Sequence, residues 1–169
     1  MTFPHRPPAS PRLSALLLIL ASLGILGTAL LFQYVGGLFP CQLCIWQRWA
    51  YVAAIVPLLP ALLPGQRPAF RGLMLALGGL AFLAGTGIAF FHVGVEQHWW
   101  PGLSSCSGAA GAATLDDLRA QLLEAPLVQC DQIAWSLLGI SMAGWNALLS
   151  LILAGIALAA ALTSFRRSA

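Results

Sequence analysis

The chain has 169 residues, of which 59% are hydrophobic and only 8% charged, and its formal net charge is +3. A soluble domain has about 25% charged residues, so this composition excludes a protein that covers its own surface for water. The small positive charge follows from the placement of arginines around apolar segments. It indicates membrane orientation and gives no sign of nucleic-acid binding.

Four long uncharged stretches predict four membrane-spanning helices, since a spanning helix needs roughly 20 mostly apolar residues. The predicted spans lie near 14–35, 43–63, 71–92 and 143–163. The end of the second is the hardest to place because Pro57 and Pro60 remove backbone donors and can kink its last turns. Small residues such as Gly78 and Gly79 favour close helix packing. We predict an all-α fold, a polytopic four-helix membrane bundle forming a single domain over residues 1–169.

The first apolar stretch has some features of a signal peptide, because Arg6 and Arg12 precede it. The run from Leu13 to Phe32 is longer than the apolar region of about 7–15 residues in a signal peptide. No convincing small-residue cleavage site follows. The sequence therefore favours a retained first span, with a cleaved signal as the alternative.

The arginines predict which ends of the helices face the cytoplasm. Six of them lie at the termini or between the second and third spans: Arg6, Arg12, Arg67, Arg71, Arg166 and Arg167. Arg48 and Arg119 lie on the opposite side, together with the acidic residues, the tryptophans and the four cysteines. By the positive-inside rule both termini are cytoplasmic. The cysteines then face a compartment of the periplasmic kind, in which disulfides persist.

Two loops connect the spans on that outer side, near 36–42 and 93–142. The second loop continues from Thr114, a good helix N-cap, into a run with leucines at i, i+3 and i+7. This pattern predicts a short amphipathic helix over 114–123 that lies on the membrane surface. Packing of the same apolar face against the bundle is the alternative.

Cys41 and Cys44 form a CxxC motif where the second span begins. A helix N-terminus stabilises a thiolate, and the CxxC spacing lets the two sulfurs form a reactive disulfide. Arg48 is four residues after Cys44, so we expect it one turn deeper on the same face, where it can stabilise a Cys44 thiolate. Its guanidinium can also donate to a carbonyl oxygen of a ligand. The alternative for Arg48 is an interfacial residue that reaches toward lipid headgroups.

Cys106 and Cys130 are too far apart in sequence for a metal-binding knuckle. Their spacing suits a disulfide that staples a mobile loop, or a purely structural bridge. Zinc bound by the CxxC pair and one or both of His92 and His98 is a further alternative. It is disfavoured because structural zinc sites usually pair two ligand knuckles and this chain has one CxxC. We therefore predict no metal.

His92, Glu96 and His98 cluster where the third span ends. An ionisable group at that depth can relay protons or contact a ligand. The alternative is a solvated helix end. Among the three, His92 is the candidate ligand-site residue, and the sequence assigns no role to Glu96 or His98.

Residues 39–48, FPCQLCIWQR, resemble the PCxLCxxQR signature of the DsbB family, the bacterial inner-membrane proteins that form disulfides. The similarity extends to the four spans, to the second cysteine pair and to the run from Trp135 to Gly139 after the last cysteine. It covers essentially the whole chain.

The resemblance implies a quinone-dependent thiol oxidoreductase whose catalytic residues are its four cysteines. A periplasmic DsbA-like protein with a thioredoxin fold attacks Cys106 of a Cys106–Cys130 disulfide. The released Cys130 attacks Cys41, and Cys44 faces ubiquinone or menaquinone from the membrane pool.

The resemblance also implies a quinone site at Cys44 and Arg48, with Gln47 directly before the arginine. We add His92 to this site from its position at the end of the third span. In it, Arg48 matches the family's quinone-side arginine. A protein similar to vitamin K epoxide reductase is an alternative, but there the CxxC normally lies near a later span. A non-enzymatic protein with structural disulfides is the other alternative, against which Arg48 beside Cys44 argues.

Overall fold

The structure, a computed structural model, describes residues 10–103 and 129–168. Its elements are α1 (Pro11–Tyr34), α2 (Gln42–Ala61), α3 (Pro68–Glu96), β1 (Ser136–Leu137), β2 (Ile140–Ser141) and α4 (Met142–Arg166). All four helices are long and apolar enough to cross a membrane. The predicted four-helix membrane fold is confirmed. The surface helix predicted over 114–123 lies outside the described residues.

The ends of α2 and α3 have side-chain contacts that hydropathy does not predict. α2 continues through Pro57 and Pro60 to Ala61, so these prolines lie inside its last turns. Arg71 donates from Nε to the carbonyl of Ala61 at 2.9 Å and from Nη2 to that of Leu63 at 3.1 Å. These bonds satisfy carbonyls that a helix C-terminus leaves without intrahelical partners.

α3 extends one turn beyond its predicted span and ends at Glu96. Trp100 folds back over this end. Its ring stacks on Phe91 with centroids 5.8 Å apart, and its Nε1 donates to the Phe91 carbonyl at 3.0 Å. Because a methyl group on Gly94 would overlap the Trp100 ring, only glycine permits this approach. The last turn of α3 is thereby held in the protein interior.

The bundle is built around α3, which packs against α2 on one side and α4 on the other, while α1 contacts α2 and α4. Leu18, Leu58, Leu75 and Phe82 fill the shared core. Gly78 faces Leu58, and the neighbouring Gly79 faces Leu158 of α4. The leucines on the outer surface of the helices are exposed, as expected of side chains that face lipid.

A second, smaller core lies at one end of the bundle, where α2 begins and α3 ends. It consists of Cys41, Leu43, Val95 and Cys130, with Trp100 packed against it. The segment from 129 to 141 covers this end and closes with the β1–β2 hairpin, in which Ser136 pairs with Ser141. Trp135 in this segment contacts Phe32 of α1, with ring centroids 5.2 Å apart. The fold thus brings the two cysteine-bearing segments together.

Candidate redox site

Cys41 is the N-cap residue of α2, with extended backbone dihedrals (φ −75°, ψ 172°). Its Sγ accepts a hydrogen bond from the backbone N–H of Cys44 at 3.3 Å and lies 2.9 Å from Cys44 Sγ, whose thiol donates to it when Cys41 is ionised. Cys41 is only 5% exposed, whereas Cys44 is half-buried, and both are free thiols. The turn of the CxxC motif therefore directs two donors at one sulfur.

These donors stabilise Cys41 as a thiolate. The hydrogen bond from Cys44 is the largest influence, and it lowers the pKa of Cys41; burial raises it, and His92 lowers it further. The pKa falls from 9.0 to about 4. The positive end of the α2 dipole acts in the same direction. Cys41 is therefore the thiolate nucleophile of the reduced pair at neutral pH.

His92 joins the CxxC pair to the rest of the site. Its Nε2 lies 3.6 Å from Cys41 Sγ and 3.9 Å from Glu96 Oε1, and its Nδ1 lies 2.9 Å from Gln47 Nε2. The backbone of Cys130 also lies close enough to interact with the ring. Its side chain is only 4% exposed. His92 thus contacts both segments that carry cysteines.

Glu96, for which the sequence assigned no role, is buried beside His92. Its Oε2 accepts a hydrogen bond from Ser141 Oγ at 2.5 Å. The same hydroxyl accepts the backbone N–H of Gly144 at 3.1 Å and so caps α4. Glu96 therefore ties the end of α3 to the beginning of α4.

Arg48 is half-buried on α2 and reaches sideways to α1. Its Nη1 donates to Gln33 Oε1, and its Nη2 donates to the carbonyl of Ala29 at 3.2 Å. The sequence predicted that Arg48 would stabilise a thiolate on Cys44. In the reduced pair the thiolate is Cys41, because the N-cap position collects the donors of the CxxC turn. The charge of Arg48 also acts on Cys44, so its role at that sulfur stays a prediction.

A chain of polar side chains continues from His92 into the membrane-spanning region. Gln47 accepts from Asn146 Nδ2 through its Oε1, and Asn146 Oδ1 accepts from the Tyr51 hydroxyl at 2.6 Å. The Tyr51 hydroxyl lies 2.8 Å from Ser150 Oγ. The sequence analysis missed Tyr51, Asn146 and Ser150. A signal was present, since uncharged polar residues within apolar spans commonly bond between helices.

Cys41, Cys44 and His92 also present three potential metal ligands, with donor atoms within 4.8 Å of one another. The sulfur atoms lie 2.9 Å apart. Two thiolates on tetrahedral zinc lie roughly 3.8 Å apart, given zinc–sulfur bonds of about 2.3 Å. The observed separation suits a hydrogen-bonded dithiol, and the sulfurs would have to move apart to hold zinc.

His98 and the second cysteine pair are the remaining predicted residues. His98 follows the end of α3 and lines an open cavity of about 310 Å³ together with Val95, Trp99, Trp100, Pro101, Gly102 and Asp131. Cys130 is disulfide-bonded and buried against the CxxC cluster. Cys106, its partner by resemblance, lies outside the described residues.

Four membrane helices with a dithiol, a histidine and a disulfide-bonded cysteine at one end define a multi-pass membrane protein of the thiol-redox class. The sequence matches the family model "Disulfide bond formation protein DsbB" over residues 11–160. The chain belongs to the DsbB family. It is a thiol oxidoreductase that acts in disulfide bond formation, and this favours the resemblance drawn above over its two alternatives.

Several relatives named "Disulfide bond formation protein B" are similar along most of their length. The protein of Cupriavidus necator is 31% identical, covering 86% of this chain and 92% of the relative. That of Chromohalobacter salexigens is 35% identical, with coverage of 82% and 83%. That of Xanthomonas campestris pv. campestris is 36% identical, with coverage of 80% and 81%. No solved structure gives a significant match.

Proposed function

We propose that this protein oxidises the dithiol of a periplasmic DsbA-like protein with a thioredoxin fold and passes two electrons to a membrane quinone. In the net reaction, the partner's two thiols become a disulfide, and the quinone takes up two electrons and two protons to become a quinol. One observation carries the proposal: the Cys41 thiolate and the disulfide-bonded Cys130 share one small buried core.

We infer that the thiol steps run from the loop pair to the CxxC pair. A partner thiolate attacks Cys106 of a Cys106–Cys130 disulfide, forming a mixed disulfide and releasing the Cys130 thiolate. The partner's second thiolate then attacks its own mixed-disulfide sulfur and leaves oxidised. Cys130 attacks Cys41 of the oxidised CxxC pair, forms a Cys41–Cys130 disulfide and releases the Cys44 thiolate. The Cys106 thiolate then attacks Cys130, which restores the Cys106–Cys130 disulfide and releases Cys41 as a thiolate. Burial of Cys130 supports this order, because an external protein cannot reach its sulfur directly.

The CxxC pair must give up its electrons at a sulfur that the quinone can approach. Cys44 is half-buried, whereas Cys41 is enclosed, so Cys44 is the sulfur we assign to the quinone side. When bound, quinone supplies a two-electron acceptor. Arg48, half-buried between α1 and α2, suits a ligand whose carbonyl oxygens accept hydrogen bonds.

Gln47 and His92, also assigned to the quinone site, are nearly enclosed and bonded to each other. We propose that they act through Cys41. The Cys41 thiolate attacks Cys44 Sγ, and as this S–S bond forms the two released electrons pass to the acceptor bound beside Cys44. His92 stabilises that thiolate and lies beside Cys130, which delivers the preceding pair of electrons.

We further propose that the protein resides in the bacterial inner membrane, with both termini in the cytoplasm and the cysteines on the periplasmic side. Four membrane-length helices and the placement of the arginines support this orientation. The bacterial sources of the relatives agree with it.

The experiment combines the purified protein in detergent with a reduced DsbA-like protein and either ubiquinone or menaquinone. Thiol loss and quinol formation should proceed together in equal amounts. Cys44→Ala and Cys106→Ala should each abolish both signals. Gln132→Ala, an exposed change near Cys130, should leave both intact. Oxidation that continues unchanged in the two cysteine variants would falsify the proposal.

A further inference from the structure

We propose that Asn146 and Tyr51 are positioning residues that act through Gln47 to hold His92 in the neutral tautomer with its proton on Nε2. In this form His92 always directs an N–H donor at Cys41. The catalytic consequence rests on the proposed function, whereas the tautomer itself is a property of the folded protein. Neither Asn146 nor Tyr51 touches a reacting sulfur.

The direction of the hydrogen-bond chain supports this tautomer. Tyr51 donates to the oxygen of Asn146, whose nitrogen donates to the oxygen of Gln47. The nitrogen of Gln47 then faces Nδ1 of His92 at 2.9 Å. Since an amide nitrogen only donates, Nδ1 has to accept and so carries no proton. A neutral imidazole in this position carries its proton on Nε2.

The groups on the other side of the ring require the same tautomer. Nε2 faces Cys41 Sγ at 3.6 Å and Glu96 Oε1 at 3.9 Å, and both atoms are acceptors when ionised. The opposite tautomer would set two donors against each other at Nδ1 and leave Nε2 without a proton for Cys41. The hydrogen-bond chain that reaches Nδ1 and the acceptors that face Nε2 therefore favour the same tautomer.

The surroundings make this arrangement rigid. Gln47 is 6% and Tyr51 2% exposed, within helices that span the membrane. Unsatisfied polar groups in hydrocarbon are costly, so reversing one amide would require reversal along the whole chain. Amide side chains do not pass protons readily. The hydrogen-bond chain therefore positions His92 and does not conduct protons to it.

The test is nitrogen NMR of the reduced protein with ¹⁵N-labelled histidine, with His92 assigned from a His92→Gln sample. We expect a protonated Nε2 and an unprotonated Nδ1. In Asn146→Leu, which removes both amide functions, the tautomers should mix, and the apparent pKa of Cys41 should rise by about one unit. His98, which is not part of the hydrogen-bond chain, supplies an internal reference signal.

Thr86→Val is the matched control, because the Thr86 hydroxyl bonds only to its own helix, at the Phe82 carbonyl. It should leave the His92 signals unchanged. If Asn146→Leu does not fold, Tyr51→Phe decides, since it removes only the hydroxyl that donates to Asn146. A proton on Nδ1 in the native protein, alone or in an imidazolium, would overturn the proposal. So would unchanged His92 signals in Asn146→Leu or, where that variant does not fold, in Tyr51→Phe. Loss of quinone activity alone would not bear on it.

Discussion

Cys41 has a structural and a chemical role in the same atom. Its sulfur caps the first turn of α2, accepts the Cys44 thiol and packs beside Cys130. Since a cap accepts a hydrogen bond best when it carries negative charge, the fold itself favours the thiolate. The reactive form of Cys41 is therefore also the form that completes its helix.

Replacing Cys44 should distinguish the effect of its thiol on the pKa of Cys41 from the effect of its backbone N–H. In a background with Cys106→Ser and Cys130→Ser, alkylation of Cys41 should stay fast until the pH falls to about 4, because the thiolate persists above its pKa. Cys44→Ala removes the largest stabilising contact and should raise that pKa toward 9.0. Cys44→Ser keeps a hydroxyl donor and should raise it less. Identical pH profiles for the alanine and serine variants would contradict the assigned cause.

The residues of the site differ in how far the sequence could predict them. The CxxC pair and Arg48 form a local motif, so their spacing on one helix was readable. The contacts of Asn146 with Gln47 and of Glu96 with Ser141 could not be predicted, because only the packing of α2, α3 and α4 brings these residues together. A thiolate at the start of this helix was also predictable, but the sequence does not show that the N-cap residue Cys41 accepts from the CxxC turn.

At the level of elements, α3 holds the bundle together through glycines that face large side chains. A methyl group added to Gly79 would lie 2.9 Å from Leu158 of α4, whereas one added to Gly87 would meet nothing within 4 Å. The two positions lie on the same helix and differ only in this approach. They therefore form a matched pair for measuring the packing.

We expect Gly79→Ala to destabilise the protein by about 1–3 kcal/mol, since a crowded helix contact has to shift. Gly87→Ala should be neutral or stabilising by up to about 1 kcal/mol, because alanine is the better helix former. Unfolding in mixed micelles with increasing denaturing detergent measures both. Equal stabilities for the two variants would show that the α3–α4 contact is looser than the structure has it.

Helices were easier to predict than the segments that join them. Hydropathy and length alone give four spans, because lipid requires helices whose backbone bonds are internal. The β1–β2 hairpin was not predicted, since each strand has only two residues and its turn depends on positive φ at Leu138 and Gly139. The last turn of α3 was also missed. Its burial depends on Trp100 folding back, which hydropathy does not show.

At the scale of the whole molecule, the sulfur chemistry lies at one end of the bundle, and Arg71 and Arg166 lie at the other. The CxxC pair, His92 and Cys130 meet where α2 begins and α3 ends. Arg71 and Arg166 lie at the other ends of their helices, in the first turn of α3 and the last turn of α4. In the proposed reaction, electrons that enter at the cysteine end therefore have only to reach the part of the membrane beside Cys44.

A topology measurement tests this arrangement independently of activity. In a cysteine-free background, Gln132→Cys and Ser168→Cys each place one exposed thiol, the first near the redox site and the second after α4. With the outer membrane permeabilised, a membrane-impermeant maleimide should label Gln132→Cys in intact cells and Ser168→Cys only after lysis. The reason is that arginine-rich ends remain in the cytoplasm. The reverse pattern would place the CxxC pair in a reducing compartment, where a disulfide generator cannot work.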